Sequence, residues 1–239
     1  MARAASVVFL ILAGLTAWFA VSVGGWAWGL LWPAASLLGV VIAYAGARPG
    51  VFGKRQDGSM RLVNVVLLLP FLGLTWMVWG AQRRLTGQAC WHEIVPGLFL
   101  GRRALRGELP AGVELIVDLT AEFPEPRSVR RTVDYRCLPT LDAFVPDLDR
   151  LRELVAEVAA FPGQVYVHCA LGHGRSALVV AAVLLARGVA ADPKTAVAMV
   201  RAARTSIRLN RVQLSSLRLL AAGRANPEPP QKAATTHLG

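Results

Sequence analysis

The sequence predicts an α/β domain with parallel strand pairs, carried behind two to three membrane-spanning helices. Three observations lead there. Hydrophobic residues make up 54% of the 239 residues and charged ones 17%, against about 25% charged in an average soluble domain. No charged residue lies between Ala4 and Ala47, or between Leu62 and Gln82. Beyond Cys90, short β-branched runs alternate with helix-length segments of amphipathic spacing. The abundance of aliphatic residues and the presence of only three cysteines exclude a disordered chain, a collagen and a disulfide-stapled mini-protein.

A spanning helix needs about 20 apolar residues, so the first uncharged run holds two candidates, 4–23 and 25–46, hinged at Gly24-Gly25. The second holds one, 62–79. Trp26, Trp28, Trp32, Trp76 and Trp79 lie toward segment ends, where indoles favour the lipid–water interface. Pro33 and Pro70 are expected to kink their helices. A cleaved signal peptide accounts for the first segment only and lacks a convincing small-residue cleavage site. The chain is therefore expected to be an integral protein of a plasma or inner membrane, with residues 1–89 as its membrane region.

Orientation stays open. Arg3 and the loop cations Arg48, Lys54, Arg55 and Arg61 favour a cytoplasmic N-terminus, which after three spans leaves the C-terminal domain outside. Arg83 and Arg84 pull the other way, and a re-entrant third segment returns the domain to the cytoplasm. The net charge of +11 divides between these membrane-flanking cations and a modestly basic second half. Anionic headgroups are the expected partner, at about 1 kcal/mol per cation near the surface. No nucleic-acid motif accompanies the cations, so nucleic acid is not expected.

The second half, 90–222, punctuates itself. Leu98–Leu100 reads as a strand before a Gly101-Arg102-Arg103 turn, and Glu114–Leu119 as a buried strand. Val133–Leu138 resembles another after a Pro-interrupted loop. Pro146–Phe161 carries Leu148, Leu151, Val155 and Val158 at helical spacing, and Pro162-Gly163 stops it. Gln164–His168 is a strand, Gly174–Arg187 an apolar helix, and helices follow over 193–204 and 210–222. The tail 223–239 is polar and Pro-rich and reads as disordered.

The most informative stretch is His168-Cys169-Ala170-Leu171-Gly172-His173-Gly174-Arg175-Ser176, between a strand and a helix. Such a loop turns several backbone N–H groups inward at a helix N-terminus, which suits an anion. Gly172 and Gly174 permit the close backbone approach of a phosphate cradle. Arg175 offers a planar fork for two phosphate oxygens. The same surroundings favour the thiolate of Cys169, placed for in-line attack on phosphorus. Ser176 is positioned to hydrogen-bond the sulfur as it leaves. Residues 170–175 thus form the expected phosphate cradle, with His168 as a supporting residue.

The order His-Cys, five residues, Arg, Ser resembles the signature of the protein-tyrosine-phosphatase superfamily, most closely its small dual-specificity branch. The likeness runs from about Trp91 to Leu220. It includes Val95-Pro96-Gly97-Leu98-Phe99-Leu100-Gly101, Ile116-Val117-Asp118-Leu119, and Arg204, Asn210 and Gln213. It implies a small catalytic domain with a central mixed, partly parallel sheet flanked by helices. It also implies a general acid on a separate loop, best matched by Asp142. Asp147 is the runner-up, but Pro146-Asp147 looks like a helix start. Cys90 and Cys137 read as buried small hydrophobes, His173 as a rim residue, and Glu122 as an exposed loop carboxylate. The cysteines lack metal-ligand spacing, and the expected chemistry needs no metal or other cofactor.

These features predict a membrane-anchored phosphoric monoester hydrolase working through a cysteinyl-phosphate intermediate, with lipid phosphate preferred as substrate. The alternatives are a phosphatase of phosphoproteins and a non-catalytic phosphate-binding module. The resemblance cuts against polyphosphoinositides, because inositol-phosphate members often carry lysines where this loop has Ala170, Leu171 and His173. A transporter lacks the intramembrane charges it would need.

Overall fold

The computed structural model describes residues 2–105, 107–131 and 133–225. At the N-terminus, α1 (Ala2–Val23) turns at Gly24 through a 3₁₀ segment (Gly25–Leu30) into α2 (Leu31–Ala45), and the two pack as a hairpin. The predicted second span is helical from Gly25, as a 3₁₀ turn that becomes α-helix at Leu31. Pro33 sits in the first turn of α2, where a missing N–H is tolerated. A second 3₁₀ turn (Pro49–Phe52) and a loop lead to α3 (Leu62–Leu85), longer than the expected 62–79. Ala5–Val23, Gly25–Ala45 (the 3₁₀ segment and α2 together) and Leu62–Leu85 are each long and apolar enough to cross a membrane.

The remaining elements are β1 (Trp91–Val95), β2 (Leu98–Arg102), β3 (Val113–Thr120), α4 (Arg127–Arg130), β4 (Asp134–Thr140), α5 (Leu148–Ala160), β5 (Gln164–Cys169), α6 (Arg175–Ala186), α7 (Pro193–Ala203) and α8 (Arg211–Ala225). They build a mixed five-stranded sheet in the order β1-β2-β5-β3-β4. Only the β1–β2 pair is antiparallel; β2–β5, β5–β3 and β3–β4 are parallel. The sequence reading lacked β1, and it ended β2 at Leu100, whereas the ladder to β5 continues through Gly101 and Arg102. Helix α8 passes through Gly223 to Ala225; the rest of the expected disordered tail lies outside the described residues.

Alternation along the strands divides the core. Leu100, Leu115, Val117, Val165 and Val167 point toward α5–α8, while Phe99, Ile116 and Tyr166 face the other way onto Val129 and Ala104. Helix α6 is buried from Arg175 to Leu185, which explains its nearly unbroken apolar sequence. Asp147 and Asp192 cap α5 and α7, each accepting two backbone N–H bonds.

A third apolar cluster joins the two halves: Ala43, Phe52, Leu68 and Leu72 pack on Ala121 and Leu141. Helix α3 lies across the carboxyl edge of the parallel strands. It meets the segments after β3 and β4 near its N-terminal end, and the segment after β5 through Trp79. At its last turn Arg83 pairs with Glu108 beyond β2. That edge is where open parallel sheets place their ligands.

Candidate active site

Cys169 ends β5 and Arg175 opens α6, so the five-residue connection wraps over the carboxyl end of a central strand. Gly172, at φ 75°, makes this possible. A Cβ there would stand 2.5 Å from the carbonyl carbon of Gly101, and the conformation is one L residues rarely adopt. Cys169 is buried, with the Gly172 N–H and Ser176 Oγ both 3.3 Å from its sulfur. Unlike α5 and α7, α6 has no capping side chain, so its first N–H groups are left to the loop.

The loop is braced from outside by a buried arginine. Arg204 donates to the carbonyls of Gly172 (3.0 Å), Leu171 (3.1 Å) and Ala89 (3.1 Å). The Arg208 N–H reaches the carbonyl of His173 at 2.9 Å. His173 stands at the rim, its Nε2 2.9 Å from Gln88 Oε1. A further brace comes from α3: the Trp79 indole donates to the Ala170 carbonyl at 2.8 Å, and Trp76 to the Glu122 carbonyl at 2.9 Å. These two indoles thus hold the domain's loops, a role that their position toward a segment end did not announce.

Glu122 also departs from expectation. It is buried, and its carboxylate grips Arg175 with both oxygens, at 2.7 and 3.0 Å. Arg175 donates in addition to the Thr140 carbonyl at 2.8 Å. Its Nε, buried, has no hydrogen-bond partner among the described residues. Burial opposes the arginine's charge, but the adjacent Glu122 outweighs it and keeps the group firmly protonated. Nothing in the local sequence distinguishes Glu122 from a surface carboxylate; its role arises because β3 lies beside β5, which brings the segment after β3 to the start of α6.

Asp142 follows β4, with its side chain 74% exposed and Oδ1 3.4 Å from Arg175 Nη2. Its loop is held in an unusual shape, since Ala143 has φ 64°, a conformation costing of order 1–3 kcal/mol outside glycine. Asn210 donates to the Ala143 carbonyl at 2.7 Å and Gln213 to that of Phe144 at 3.4 Å. Asp147 instead caps α5 through the N–H groups of Asp149 and Arg150.

Under the loop lies a buried polar floor. His168 is stacked on Tyr166, and burial, opposed by Asp118, lowers its pKa to about 4, so it is neutral. Asp118 accepts the Tyr135 hydroxyl at 2.6 Å and an ion pair from Lys54, which also bonds Thr120 Oγ1 at 2.7 Å. Burial alone would raise the Asp118 pKa; Lys54, then His168, hold it well below the usual carboxylate range. Burial, then Asp118, pushes Glu125 up to about 8. Asp118, Glu125 and His168 are close enough to share an ion, but the Lys54 ammonium already supplies the positive charge there. Lys54 belongs to the loop between α2 and α3, and no local pattern announced it.

A cavity of 540 Å³ opens above Cys169. Its floor is the 169–175 loop, its polar wall Glu122 and Asp142, and its opposite wall the apolar side chains Tyr44, Phe71, Leu74 and Val78 of α2 and α3.

Residues 110–222 match the family model of the dual specificity phosphatase catalytic domain. No curated protein matches the chain. Among solved structures, a crystal structure of PTPMT1 in complex with PI(5)P is 26% identical with a TM-score of 0.50, covering 57% of this chain and 99% of its own. A human tyrosine phosphatase-like serine/threonine/tyrosine-interacting protein is 25% identical, with a TM-score of 0.51 and coverage of 58% and 99%. A mouse putative dual specificity phosphatase complexed with zinc tungstate is 27% identical, with a TM-score of 0.50 and coverage of 58% and 91%. Residues 110–222 thus carry a catalytic domain of the dual-specificity branch of the protein-tyrosine-phosphatase superfamily, a domain of phosphoric monoester hydrolases.

Proposed function

We propose that this protein is a membrane-anchored phosphatase of lipid phosphomonoesters. The observation that carries this reading is the composition of the cavity. A phosphate seated on the 169–175 loop has its organic group directed along Tyr44, Phe71, Leu74 and Val78, which belong to helices apolar enough to enter a bilayer. A hydrated peptide gains little from such a wall, whereas a glycerolipid buries apolar surface against it, at about 25 cal/mol per Å². The PTPMT1 structure with PI(5)P gives a related fold bound to a lipid-type phosphate. The present loop lacks lysine, which favours a glycerophospholipid over a polyphosphoinositide. Membrane-flanking cations, Arg55, Arg61 and Arg84 among them, favour anionic headgroups around the site.

In this reading the Cys169 thiolate attacks phosphorus, an S–P bond forms, and the P–O bond to the lipid breaks. Asp142 protonates the departing oxygen. The Arg175 guanidinium, through its unpaired Nε, and the N–H groups of the loop and α6 take up the charge on the equatorial oxygens. Glu122 fixes the plane of the guanidinium through both oxygens. Asp142, now a carboxylate, accepts a proton from water as the water attacks phosphorus. The S–P bond breaks, Ser176 and the Gly172 N–H hold the thiolate, and inorganic phosphate leaves.

The test is phosphate release by the full chain in mixed micelles from phosphatidylglycerophosphate, from its deacylated headgroup, and from a phosphotyrosyl peptide. The reading predicts a kcat/KM for the acylated lipid at least tenfold above the other two, abolished by Cys169→Ser. Preference for the peptide would overturn the lipid assignment, and activity surviving Cys169→Ser would overturn the mechanism.

A further inference from the structure

The third apolar helix carries two stripes. Leu68, Leu72, Trp76, Trp79 and Arg83, spaced three to four residues apart, meet the phosphatase domain. On the other face Val63, Leu67, Leu74 and Met77 stand in the open, exposed by 62%, 58%, 58% and 69%. A helix that is apolar all round is normally enclosed by protein or lipid, and here protein covers one side only.

Both ends of α3 are tied to the same domain. Just before it, Lys54 pairs with Asp118, Asp57 pairs with Arg130 at 2.8 Å, and the Glu125 N–H bonds the Gly58 carbonyl at 2.8 Å. At its last turn Arg83 pairs with Glu108 at 2.8 Å. The helix between them, 24 residues, is about 36 Å long, enough to cross a hydrocarbon core of about 30 Å. Crossing would carry one of these charged contacts, with the part of the domain that makes it, to the opposite side of the bilayer or into hydrocarbon. Ionised groups there are costly, by at least about 2.5 kcal/mol each. Among the described residues the α1–α2 hairpin has no such tie at its far turn, where Trp26 and Trp28 stand exposed.

We infer that α3 does not cross the membrane but lies at its surface, domain on one face and lipid on the other. Only α1 and α2 then span, and the active site is on the same side as the α2–α3 loop. The occupant of the open stripe is a bilayer, because that stripe continues the apolar surface of the hairpin and is flanked by Arg55, Arg61 and Arg84. Leu74 and Val78, on the lipid side, also line the cavity over Cys169, so the site has a lateral opening toward lipid.

Single cysteines introduced at Gly29, Gln56 and Arg201 test this in the full chain. Each is labelled with a membrane-impermeant maleimide in spheroplasts and in inverted vesicles, and the modified residue is identified by mass spectrometry. The inference expects Gln56→Cys and Arg201→Cys to react from one side and Gly29→Cys from the other, in variants that retain phosphatase activity. Every other pattern overturns it. A nitroxide at Leu67→Cys tests the lipid contact. Collision with oxygen should exceed collision with a water-soluble nickel complex, and the reverse order would refute contact with the bilayer. Neither readout involves the substrate, so the topology stands or falls apart from the lipid-phosphatase reading.

Discussion

Replacing Lys54 by methionine probes the joint between the membrane-side loop and the floor of the active site. The Lys54 and Asp118 side chains are both fully buried, and methionine keeps the length of the stem while deleting the ammonium. Asp118 would retain the Tyr135 hydroxyl at 2.6 Å and the Thr120 N–H at 2.8 Å, but no cation would face it. Removing one partner of a buried pair costs about 3–5 kcal/mol. For a chain of this length that corresponds to a fall in Tm of roughly 6–20 °C. Thermal unfolding in detergent, followed by near-ultraviolet dichroism, measures it. Adding Asp118→Asn removes the uncompensated charge, so the double variant should recover more than half of the loss. A Lys54→Met variant within about 0.5 kcal/mol of the parent, or a double variant as unstable as the single one, would refute the argument.

Three further outcomes are expected. Asp142→Asn should lower kcat by about 10²–10⁴. Asp147→Ala should instead cost about 1 kcal/mol of stability with kcat nearly unchanged; equal kinetic effects would overturn the assignment. Trp79→Phe keeps an aromatic ring, though a smaller one, and deletes the N–H bonded to the Ala170 carbonyl. It should lower kcat/KM severalfold at a stability cost of about 1 kcal/mol, and unaltered kinetics would remove Trp79 from the positioning set. His168 is depressed from 6.5 to about 4 in the fold. The unfolded state therefore binds a proton first, so this contribution is complete above pH 6.5 and is lost as pH falls toward 4. The loss amounts to about 3 kcal/mol. Unfolding measured across that window should show the decline, and His168→Gln should remove most of it.

The grouping of Cys169, Arg175 and Ser176 was legible because it is local. A strand-to-helix loop is assembled from neighbouring residues, so the groups it brings together must be adjacent in sequence. Strands β3 and β5 and helices α5 to α8 were legible for the same reason, through hydrophobic periodicity and aspartate caps. Strand β1 escaped because Trp91–Val95 mixes His and Glu into an edge position that is only half covered. The extension of β2 through Gly101 and Arg102 escaped because that glycine serves the approach of the 172 turn rather than a turn of its own.

What the sequence by itself determined is the Cys169–Ser176 strand-to-helix loop and the division into an apolar N-terminal region and an α/β domain, since both are written in short-range order. Only the tertiary structure decided what surrounds that loop. Glu122, an ordinary loop carboxylate in sequence, becomes the clamp on Arg175 because β3 and β5 are neighbours in the sheet. Lys54, lying between two apolar helices, becomes the counter-ion beneath the catalytic loop. Trp76 and Trp79, indistinguishable from interfacial tryptophans along the chain, become donors to the loops that form the site. Hydropathy counts apolar residues along α3 without regard to what each face touches. The fold assigns one face to the enzyme and leaves the other open, and that partition turns a candidate span into a wall of the active site.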